Sequence, residues 1–597
     1  MRTFLVATCV ILAASSPGSS DNAVQDHQPE KPALAHYLNT QSDVDYVGDQ
    51  VCESCHVLEY KNFKRTAMGR SASVPSEDDL QSLSKPVTFS NDILNRTYTV
   101  YAKDGKMYHQ ESERDANGQL VFSDSHEIAY VIGAGEIGKS YLVSGSDEFF
   151  VSPISFYTRI NGWDLSPGYD RSNFRGFTRQ AVTLCIDCHT GQAHFAPGRP
   201  DHFQQVPFQA LSISCERCHG PGAIHVQQRI AGVPLKGPID LAIVNPTKLP
   251  AETRDDVCAQ CHFMGDAQVL QPGKSYLDFR PGTELDKVVA IFSVPARIKA
   301  NRFFALNQFE QLKLSRCAAG SKGRMGCITC HDPHVESHGA EAAQQFRKRC
   351  LSCHTLESCN APDQKRQATA PADNCITCHM PKQPIENMNH GALTDHRILR
   401  DPSENIETRD QVLFEPSDEL VYDASPLGFE KASPDLRSLA LAYPQVAGQY
   451  SELRQKGFAI LQQAAQKFPN DPEIQGTYGQ VLSVLRPGTD AAEALQKAIT
   501  LGSRSPEVRT KLANLQLQEG KASAAIDLCK QSIEIEPHYT AAYLILARAY
   551  LTSGDLQNAH STLDRLLKLD PGDDGARQAN LKLQSILNEK PQDPVNR

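Results

Sequence analysis

Hydrophobic and polar positions change their spacing along the chain. Between residues 86 and 165 apolar and polar residues alternate, and Asp104-Gly105 supplies a tight turn, so this stretch predicts a small β-rich insertion. From residue 185 to 400 few apolar segments are long or periodic. After residue 430 the spacing becomes helical. The pattern therefore predicts three regions of different architecture.

The helical region has a 34-residue repeat. Pro472-Glu473 recurs as Pro506-Glu507, and Pro537 recurs as Pro571. Between these repeated prolines, small and apolar residues recur at the same positions of each repeat. This pattern is typical of tetratricopeptide repeats. We predict an all-α solenoid over residues 431–590, joined by an acidic, proline-containing linker over 401–430.

The amino terminus has the pattern of an export signal. Met1-Arg2 is followed by an apolar run from Thr3 to Ala14 and then by small residues, which predicts a signal peptide over residues 1–20. This run is too short to span a bilayer, and no later stretch is apolar enough to be transmembrane. A polar leader over 21–47 is expected to be flexible. We therefore expect a periplasmic or otherwise exported protein.

The sequence C-x-x-C-H occurs seven times between residues 52 and 379, and it uses fourteen of the eighteen cysteines. The copies are Cys52-Cys55-His56, Cys185-Cys188-His189, Cys215-Cys218-His219, Cys258-Cys261-His262, Cys327-Cys330-His331, Cys350-Cys353-His354 and Cys375-Cys378-His379. Random placement would give roughly 0.02 copies.

This motif is the attachment sequence of c-type haem, in which both thiols form thioether bonds and the histidine ligates the iron. Zinc sites do not require histidine after every second cysteine, and a dithiol redox motif would not recur seven times with it. We therefore predict seven c-type haems. Covalently held macrocycles would also supply the apolar core that residues 185–400 lack.

Other histidines are candidates for the second axial position. The predicted distal ligands are His126, His194, His225, His334, His390 and His396; His338 is a further candidate, and His36, His109 and His202 are reserves. His225 lies only six residues after His219, so the chain between them is too short to pass around the same macrocycle. We predict that His225, His194 and His334 each ligate a neighbouring haem.

Two further features bear on the environment of the chain. Cys317 and Cys359 belong to no motif and are candidates for a disulfide in an oxidising compartment. The formal net charge of −10 argues against a nucleic-acid partner, which would require a concentrated basic surface.

The motifs Tyr46-Val-Gly…C-x-x-C-H, C-H-G-P-G-x-x-H, C-H-D-P-H and C-x-x-C-H-M-P…Thr-Asp-His resemble the multihaem c-type cytochrome superfamily. That superfamily includes the tetrahaem electron carriers of ammonia oxidation, hydroxylamine oxidoreductase and the ammonia-forming nitrite reductase. The resemblance covers residues 46–400 and implies closely stacked haems. No motif here ends in lysine, unlike the active haem of the nitrite reductases.

The sequence thus predicts a multidomain protein: a loop-rich, haem-cored, mainly α cytochrome over 48–400 with a small β insertion, then the solenoid. We expect an electron-transfer protein whose redox partner docks on the solenoid. The alternatives are an oxidoreductase acting on a small nitrogen or sulfur compound at one open haem, or a scaffold with structural haems. No catalytic residue is predicted, and the first motif is the candidate open site because no second histidine follows His56 closely.

Overall fold

The computed structural model describes residues 36–169, 176–294, 307–382, 394–401, 419–422 and 434–588. These residues belong to one compact unit that begins at His36. The predicted signal peptide, most of the leader and most of the linker lie outside the described residues. None of the helices in the described ranges combines the length and apolarity needed to cross a bilayer.

The amino-terminal half is built on a nine-stranded antiparallel sheet. Seven strands follow the order β2-β3-β4-β5-β6-β8-β9, while β1 pairs with β5 and β7 pairs with β6. The strands are β1 Ala72–Ser73, β2 Val87–Asn91, β3 Arg96–Lys103, β4 Lys106–Arg114, β5 Leu120–Ile132, β6 Gly138–Ser144, β7 Phe149–Val151, β8 Ile154–Tyr157 and β9 Gly162–Leu165.

The predicted turn at Asp104-Gly105 is confirmed, because it joins β3 and β4 as a two-residue hairpin. Both residues have positive φ, 52° and 74°, as the tightest hairpin turns require. Alternating residues of β3 then point to one face, where Tyr98 and Val100 are buried with Met107 of β4. This sheet therefore has an apolar core made entirely of protein side chains.

The expected loop-rich, haem-cored, mainly α architecture with a small β insertion is wrong. The sheet begins at Ala72 and contains nine strands, and two smaller sheets lie in the stretch expected to hold only loops and short helices. They consist of β10 Gln192–Phe195 with β11 Phe203–Ala210, and of β12 Ala267–Leu270, β13 Val289–Ser293 and β14 Val421–Tyr422. Ladder hydrogen bonds between strands too short to show a sequence period account for the difference.

Short helices carry the C-x-x-C-H motifs. In the first, third, fifth and sixth motifs, the histidine N–H donates to the carbonyl of the first cysteine, which closes one helical turn. The helices of this half are α1 Asp49–Glu53, α2 Val57–Phe63, α3 Glu77–Ser82, α4 Thr183–His189, α5 Glu216–His219, α6 Ala223–Ile230, α7 Ala251–His262, α8 Gln308–Lys313, α9 Arg316–Ser321, α10 Cys327–Cys330, α11 Gly339–Cys350, α12 Asp363–Gln367 and α13 Cys375–His379.

The carboxy-terminal region is a solenoid in which each helix packs against the next along the chain. Its members are α14 Leu436–Ala447, α15 Arg454–Lys467, α16 Pro472–Leu485, α17 Thr489–Thr500, α18 Pro506–Gln518, α19 Ala522–Ile535, α20 Thr540–Thr552, α21 Leu556–Leu569 and α22 Asp574–Asn588.

The repeated positions of the solenoid have simple physical roles. Asp471 and Ser505 cap α16 and α18 by accepting hydrogen bonds from backbone N–H groups, and a proline follows each cap at the first helical position. Gly479 allows α16 and α17 to approach closely, because a Cβ there would lie 2.7 Å from Leu495 Cγ. The predicted solenoid is therefore present, with its small residues at helix contacts.

The solenoid packs back onto the amino-terminal half. Near its start, Gln445 of α14 exchanges two hydrogen bonds with the backbone of Gln268 in β12, at 3.2 and 2.9 Å. Near its end, Arg96 of β3 donates to the Gly572 carbonyl at 3.0 Å, and Arg577 donates to Glu113 of β4 at 3.1 Å. The solenoid is thus an integral part of the described structure.

Candidate functional site

The side chains of the seven motifs share one unusual property, which is accessibility. None of the fourteen motif cysteines is buried, and none of the seven motif histidines is buried. Free cysteine is otherwise among the most often buried residue types, and Cys529 of the solenoid follows that tendency. The motif thiols are therefore open to a reaction partner.

Three motif histidines each face a histidine from outside the motifs. The ring centroids of His56 and His225 lie 6.4 Å apart with planes inclined by 28°. Those of His219 and His334 lie 6.0 Å apart at 21°, and those of His331 and His396 lie 6.3 Å apart at 22°. No other pair of histidine rings is in contact among the described residues. Every such pair thus joins the histidine of a motif with a histidine predicted to be a distal ligand.

The pairs connect segments that are distant in sequence. His225 follows the third motif but faces the first, and His334 follows the fifth motif but faces the third. His56, singled out because no histidine follows it closely, therefore has a facing ring. His225 does not face the histidine of its own motif, as the short spacing between them led us to expect.

Hydrogen bonds orient several of these rings through Nδ1. His219 donates to the Val244 carbonyl at 2.8 Å, and His225 donates to Asp240 at 2.9 Å. His396 donates to the Thr394 carbonyl at 2.7 Å. In each ring the Nε2 atom remains as a potential metal ligand, and a second-shell acceptor on the other nitrogen is typical of metal-binding histidines.

Partial desolvation by the surrounding protein favours the neutral form of these imidazoles. Desolvation lowers the pKa of His219, of His331 and of His396 below the usual value for histidine. Neutral imidazole is the form that ligates a metal. The electrostatic environment therefore suits ligation near neutral pH.

The motifs lie against one another through their cysteines. The thiol of Cys52 in the first motif is hydrogen-bonded to that of Cys215 in the third, which lowers the pKa of Cys52 and raises that of Cys215. Equivalent contacts join Cys188 with Cys261, Cys258 with Cys327 and Cys350 with Cys375. Attachment points of different motifs are therefore neighbours in the fold.

Buried charged groups hold the first motif against the third. The Glu216 carboxylate accepts hydrogen bonds from the backbone N–H groups of Val47, Gly48 and Gly222, all within 2.9 Å. Asp49 accepts from the Cys215 N–H at 3.0 Å. Sequence reasoning missed these residues, although a glutamate and an arginine inside Cys215-Glu-Arg-Cys218 were a visible sign.

A buried ion pair joins the second motif to the third. Arg217 donates to Asp187 at 3.0 Å, and the residues are only 7% and 2% exposed. Asp255, just before the fourth motif, accepts from the Cys327 N–H of the fifth at 3.3 Å. Charged residues within or beside the motifs thus fix the motif helices relative to one another.

The remaining predicted ligands have other surroundings. His126 lies on β5, where Nε2 is 2.8 Å from Asp124 and the ring packs on Phe177, and His194 donates to the Val206 carbonyl. Neither ring pairs with a motif histidine within the described part of the chain. His338 is exposed at the start of α11. His390 lies outside the described residues.

The reserve histidines and the two unassigned cysteines do not join the facing pairs. His109 is buried in the core of the large sheet, where its Nδ1 lies 2.8 Å from Ser152 Oγ. His36 contacts Gln41, and His202 contacts Asp147 and Glu536. Cys317 and Cys359 are both free thiols, so the candidate disulfide is absent from the described structure.

Comparisons with known proteins identify the solenoid. A family model described as tetratricopeptide repeat matches residues 516–585. None of the curated proteins compared with the chain matches it. Residues 516–585 are therefore tetratricopeptide repeats, a class of domain that suggests docking of other proteins.

Solved structures similar to part of this chain include tetratricopeptide proteins. The crystal structure of MamA is 20% identical, with a TM-score of 0.23, and the match covers 26% of this chain and 86% of that one. YrrB, described as having an unusual peptide-binding site, is 16% identical, with a TM-score of 0.23 and coverages of 25% and 78%. The first repeat domain of Spaghetti (RPAP3), bound to an HSP90 peptide, is 20% identical, with a TM-score of 0.19 and coverages of 19% and 92%.

Proposed function

We propose that this chain is an exported multihaem c-type cytochrome that transfers electrons through seven haems. The observation that carries the proposal is the facing of a motif histidine and a second histidine in three places, at 6.0–6.4 Å between ring centroids. Two imidazoles that ligate one metal from opposite sides, with bonds of about 2.0 Å, would have their ring centres roughly 6.3 Å apart. The three facing histidine pairs therefore fit the iron of a haem.

In this proposal the two cysteines of each motif would form the thioether links, and the following histidine would ligate the iron. His225, His334 and His396 are the second ligands opposite His56, His219 and His331. A c-type haem, when bound, supplies a one-electron iron couple. The Nδ1 acceptors Val244, Asp240 and Thr394 hold the imidazoles in the orientation that ligation requires.

The contacts between motifs support electron transfer rather than isolated sites. Cysteines of the first and third motifs are close enough to shift each other's pKa, and so are those of the second and fourth, the fourth and fifth, and the sixth and seventh. Haems attached at neighbouring cysteines would lie side by side. The buried pair Arg217–Asp187 and the Glu216 carboxylate would maintain that arrangement.

The proposed redox partner docks on the surface of the solenoid that does not pack on the sheets. Apolar side chains are exposed there, among them Leu544, Leu551 and Leu581 at 37, 39 and 62%. Replacing Leu551 with lysine should slow reduction of the cytochrome by its donor protein and leave the haem absorption spectrum unchanged. A spectrum that changes together with the reduction rate would contradict a docking role.

Haem counting tests the central proposal. The chain, produced in a host that exports it and attaches c-type haem, should give seven haems per polypeptide in the pyridine haemochrome assay. Low-temperature EPR should show low-spin signals from the haems with paired histidines. A purified full-length chain without covalent haem would contradict the proposal, and an amino terminus that retains residues 1–20 would contradict export.

A further inference from the structure

Five metal-binding side chains from outside the C-x-x-C-H motifs meet where the solenoid contacts the sheets. We call them the interface cluster: Asp147, Glu148, His202, Glu536 and His538. Asp147 and Glu148 lie between β6 and β7, and His202 immediately precedes β11. Glu536 and His538 lie in the turn between α19 and α20. Three loops from two regions of the chain thus contribute two imidazoles and three carboxylates.

The side chains of the interface cluster are in direct contact. His538 Nδ1 lies 2.5 Å from Glu148 Oε1, and His202 Nε2 lies 3.1 Å from Glu536 Oε2. Possible ligand atoms of Glu148, Glu536 and His538 all lie within 4.8 Å of one another, as do those of Asp147, Glu148 and His202. Glu148 belongs to both groups and is therefore the centre of the cluster.

The charges of the interface cluster favour a bound cation. Glu148 and His202 are only 2% and 4% exposed. Gln180 Nε2 donates to Glu148 at 3.1 Å and to Glu536 at 3.5 Å, but it carries no charge. Among the described residues no lysine or arginine forms an ion pair with Glu148 or Glu536, whereas Arg199 does so with Asp147. A buried carboxylate beside a half-buried one, both without such a partner, is costly.

The electrostatics of the two carboxylates reflect that cost. Burial raises the pKa of Glu536, and the neighbouring Glu148 raises it further. The hydrogen bond to Glu148 raises the pKa of His538. A divalent ion would neutralise both carboxylates while leaving the imidazoles neutral, since metal ligation uses neutral imidazole.

We propose that the interface cluster binds a divalent transition-metal ion of the zinc class through Glu148, Glu536 and His538, with His202 as the fourth ligand. Mixed imidazole and carboxylate donors suit zinc and its neighbours, whereas calcium and magnesium prefer oxygen ligands alone. Arg199 and Asp147 position His202 from the other side.

The location gives the ion a structural role. Two ligands come from the solenoid and two from the loops of the amino-terminal half, so the ion would bridge the two regions. An ion that binds the folded chain alone stabilises it in proportion to the logarithm of its concentration. The ion would therefore strengthen the attachment of the solenoid at its middle.

Zinc retention tests the proposal on the full-length chain with its haems. After chelator treatment, incubation with zinc chloride and gel filtration, the wild type should retain one zinc per chain by elemental analysis, which counts zinc separately from haem iron. Glu536→Gln and His538→Asn should each weaken zinc binding at least about tenfold. Glu534→Gln removes an exposed carboxylate two residues away on α19 and should bind zinc like the wild type.

Two further measurements complete the test. Thermal unfolding followed by circular dichroism should shift to higher temperature with zinc in the wild type and in Glu534→Gln, but not in Glu536→Gln. X-ray absorption at the zinc edge should show nitrogen and oxygen ligands with imidazole scattering. Equal zinc retention by the wild type and Glu536→Gln would show adventitious binding only and overturn the proposal. Stability that depends on pH but not on zinc would also overturn it, in favour of protonated histidines as the counter-charge.

Discussion

The imidazole ring of His334 lies 6.0 Å from that of His219, with the two planes inclined by 21°. His334 follows the fifth C-x-x-C-H motif in sequence, whereas His219 belongs to the third. A residue that follows one motif thus completes the surroundings of another. Such crossed pairing ties the proposed haem sites into a single unit, because the loss of one distal histidine should affect a motif elsewhere in the chain.

Replacing His334 with alanine should convert one low-spin haem to a high-spin form that binds carbon monoxide. The substitution removes the ring facing His219 and leaves the fifth motif, with His331 and His396, intact. EPR and carbon monoxide difference spectra would measure the change. His338→Ala alters an exposed histidine four residues away and should leave both spectra as in the wild type. An unaltered spectrum for His334→Ala would exclude this residue as a ligand.

Arg96→Met should destabilise the contact between the large sheet and the end of the solenoid. Arg96 is 6% exposed and pairs with Glu111, Glu113 and Asp574. Its loss leaves Glu111 buried without its cation, and breaking a buried pair costs about 3–5 kcal/mol. Chemical denaturation followed by circular dichroism would measure the loss.

Two further variants serve as controls for Arg96→Met. Arg114→Met removes an exposed arginine at the end of β4 and should change stability by less than about 0.5 kcal/mol. Burial raises the pKa of Glu111 to about 7, so the neutral replacement Glu111→Gln should recover part of the loss when combined with Arg96→Met. No recovery in the double variant would mean that the unpaired carboxylate is not the cause.

His109 should make the protein less stable in acid. The residue is fully buried beside Tyr141 and Trp163, and burial lowers its pKa to about 3. In the unfolded chain histidine takes up a proton below about pH 6.5, whereas the folded chain resists until about pH 3. Stability is therefore fully present above pH 6.5 and is lost as the pH falls towards 3, by up to about 1.4 kcal/mol per unit.

The asparagine variant of His109 isolates this effect. The difference in unfolding free energy between the wild type and His109→Asn should narrow as the pH is lowered from 7 to 4.5, because only the wild type carries the buried imidazole. His338→Asn, at an exposed position, should follow the wild type at every pH. A wild-type advantage that stays constant over this range would contradict the assignment.

Gly479→Ala should destabilise the solenoid. The added methyl group would lie 2.7 Å from Leu495 Cγ and 2.8 Å from the Leu495 backbone nitrogen, so α16 and α17 would have to separate. Overpacking of this kind costs about 1–3 kcal/mol. The thermal unfolding of the full-length chain would report the loss.

Gly448→Ala is the matched substitution for Gly479. Gly448 ends α14 with a φ of −68°, and a Cβ there meets no atom within 4 Å. The alanine should leave stability unchanged or raise it slightly through the unfolded state. Equal losses at the two positions would mean that close helix contact is not what Gly479 provides.

The sequence predicts some of these features better than others. The repeat at Pro472, Pro506 and Pro537 is a local pattern, so the solenoid could be recognised without a structure. The motif residues are equally local. The smaller sheets were missed because strands such as β10 and β12 have only four residues, too few for a visible alternation.

The pairing of distal ligands depends on the folded path of the chain. The short spacing argues against His225 as the second ligand of the haem proposed for its own motif, but it does not reveal that its ring faces that of His56. That choice rests on Glu216 and Asp49, which hold the first motif against the third through backbone N–H groups. Interactions between residues so far apart have no periodic signature in the sequence.

The solenoid touches the rest of the chain near Gln445 in α14, at the turn containing Glu536 and His538, and again near Gly572 before α22. Free arrays of such repeats change length readily in evolution, because each unit meets only its neighbours. Here, adding or removing one 34-residue unit between two of these points would move every later contact out of alignment. The surface of the amino-terminal half that the solenoid contacts therefore fixes the number of repeats. The array should behave as a rigid element of set length and curvature.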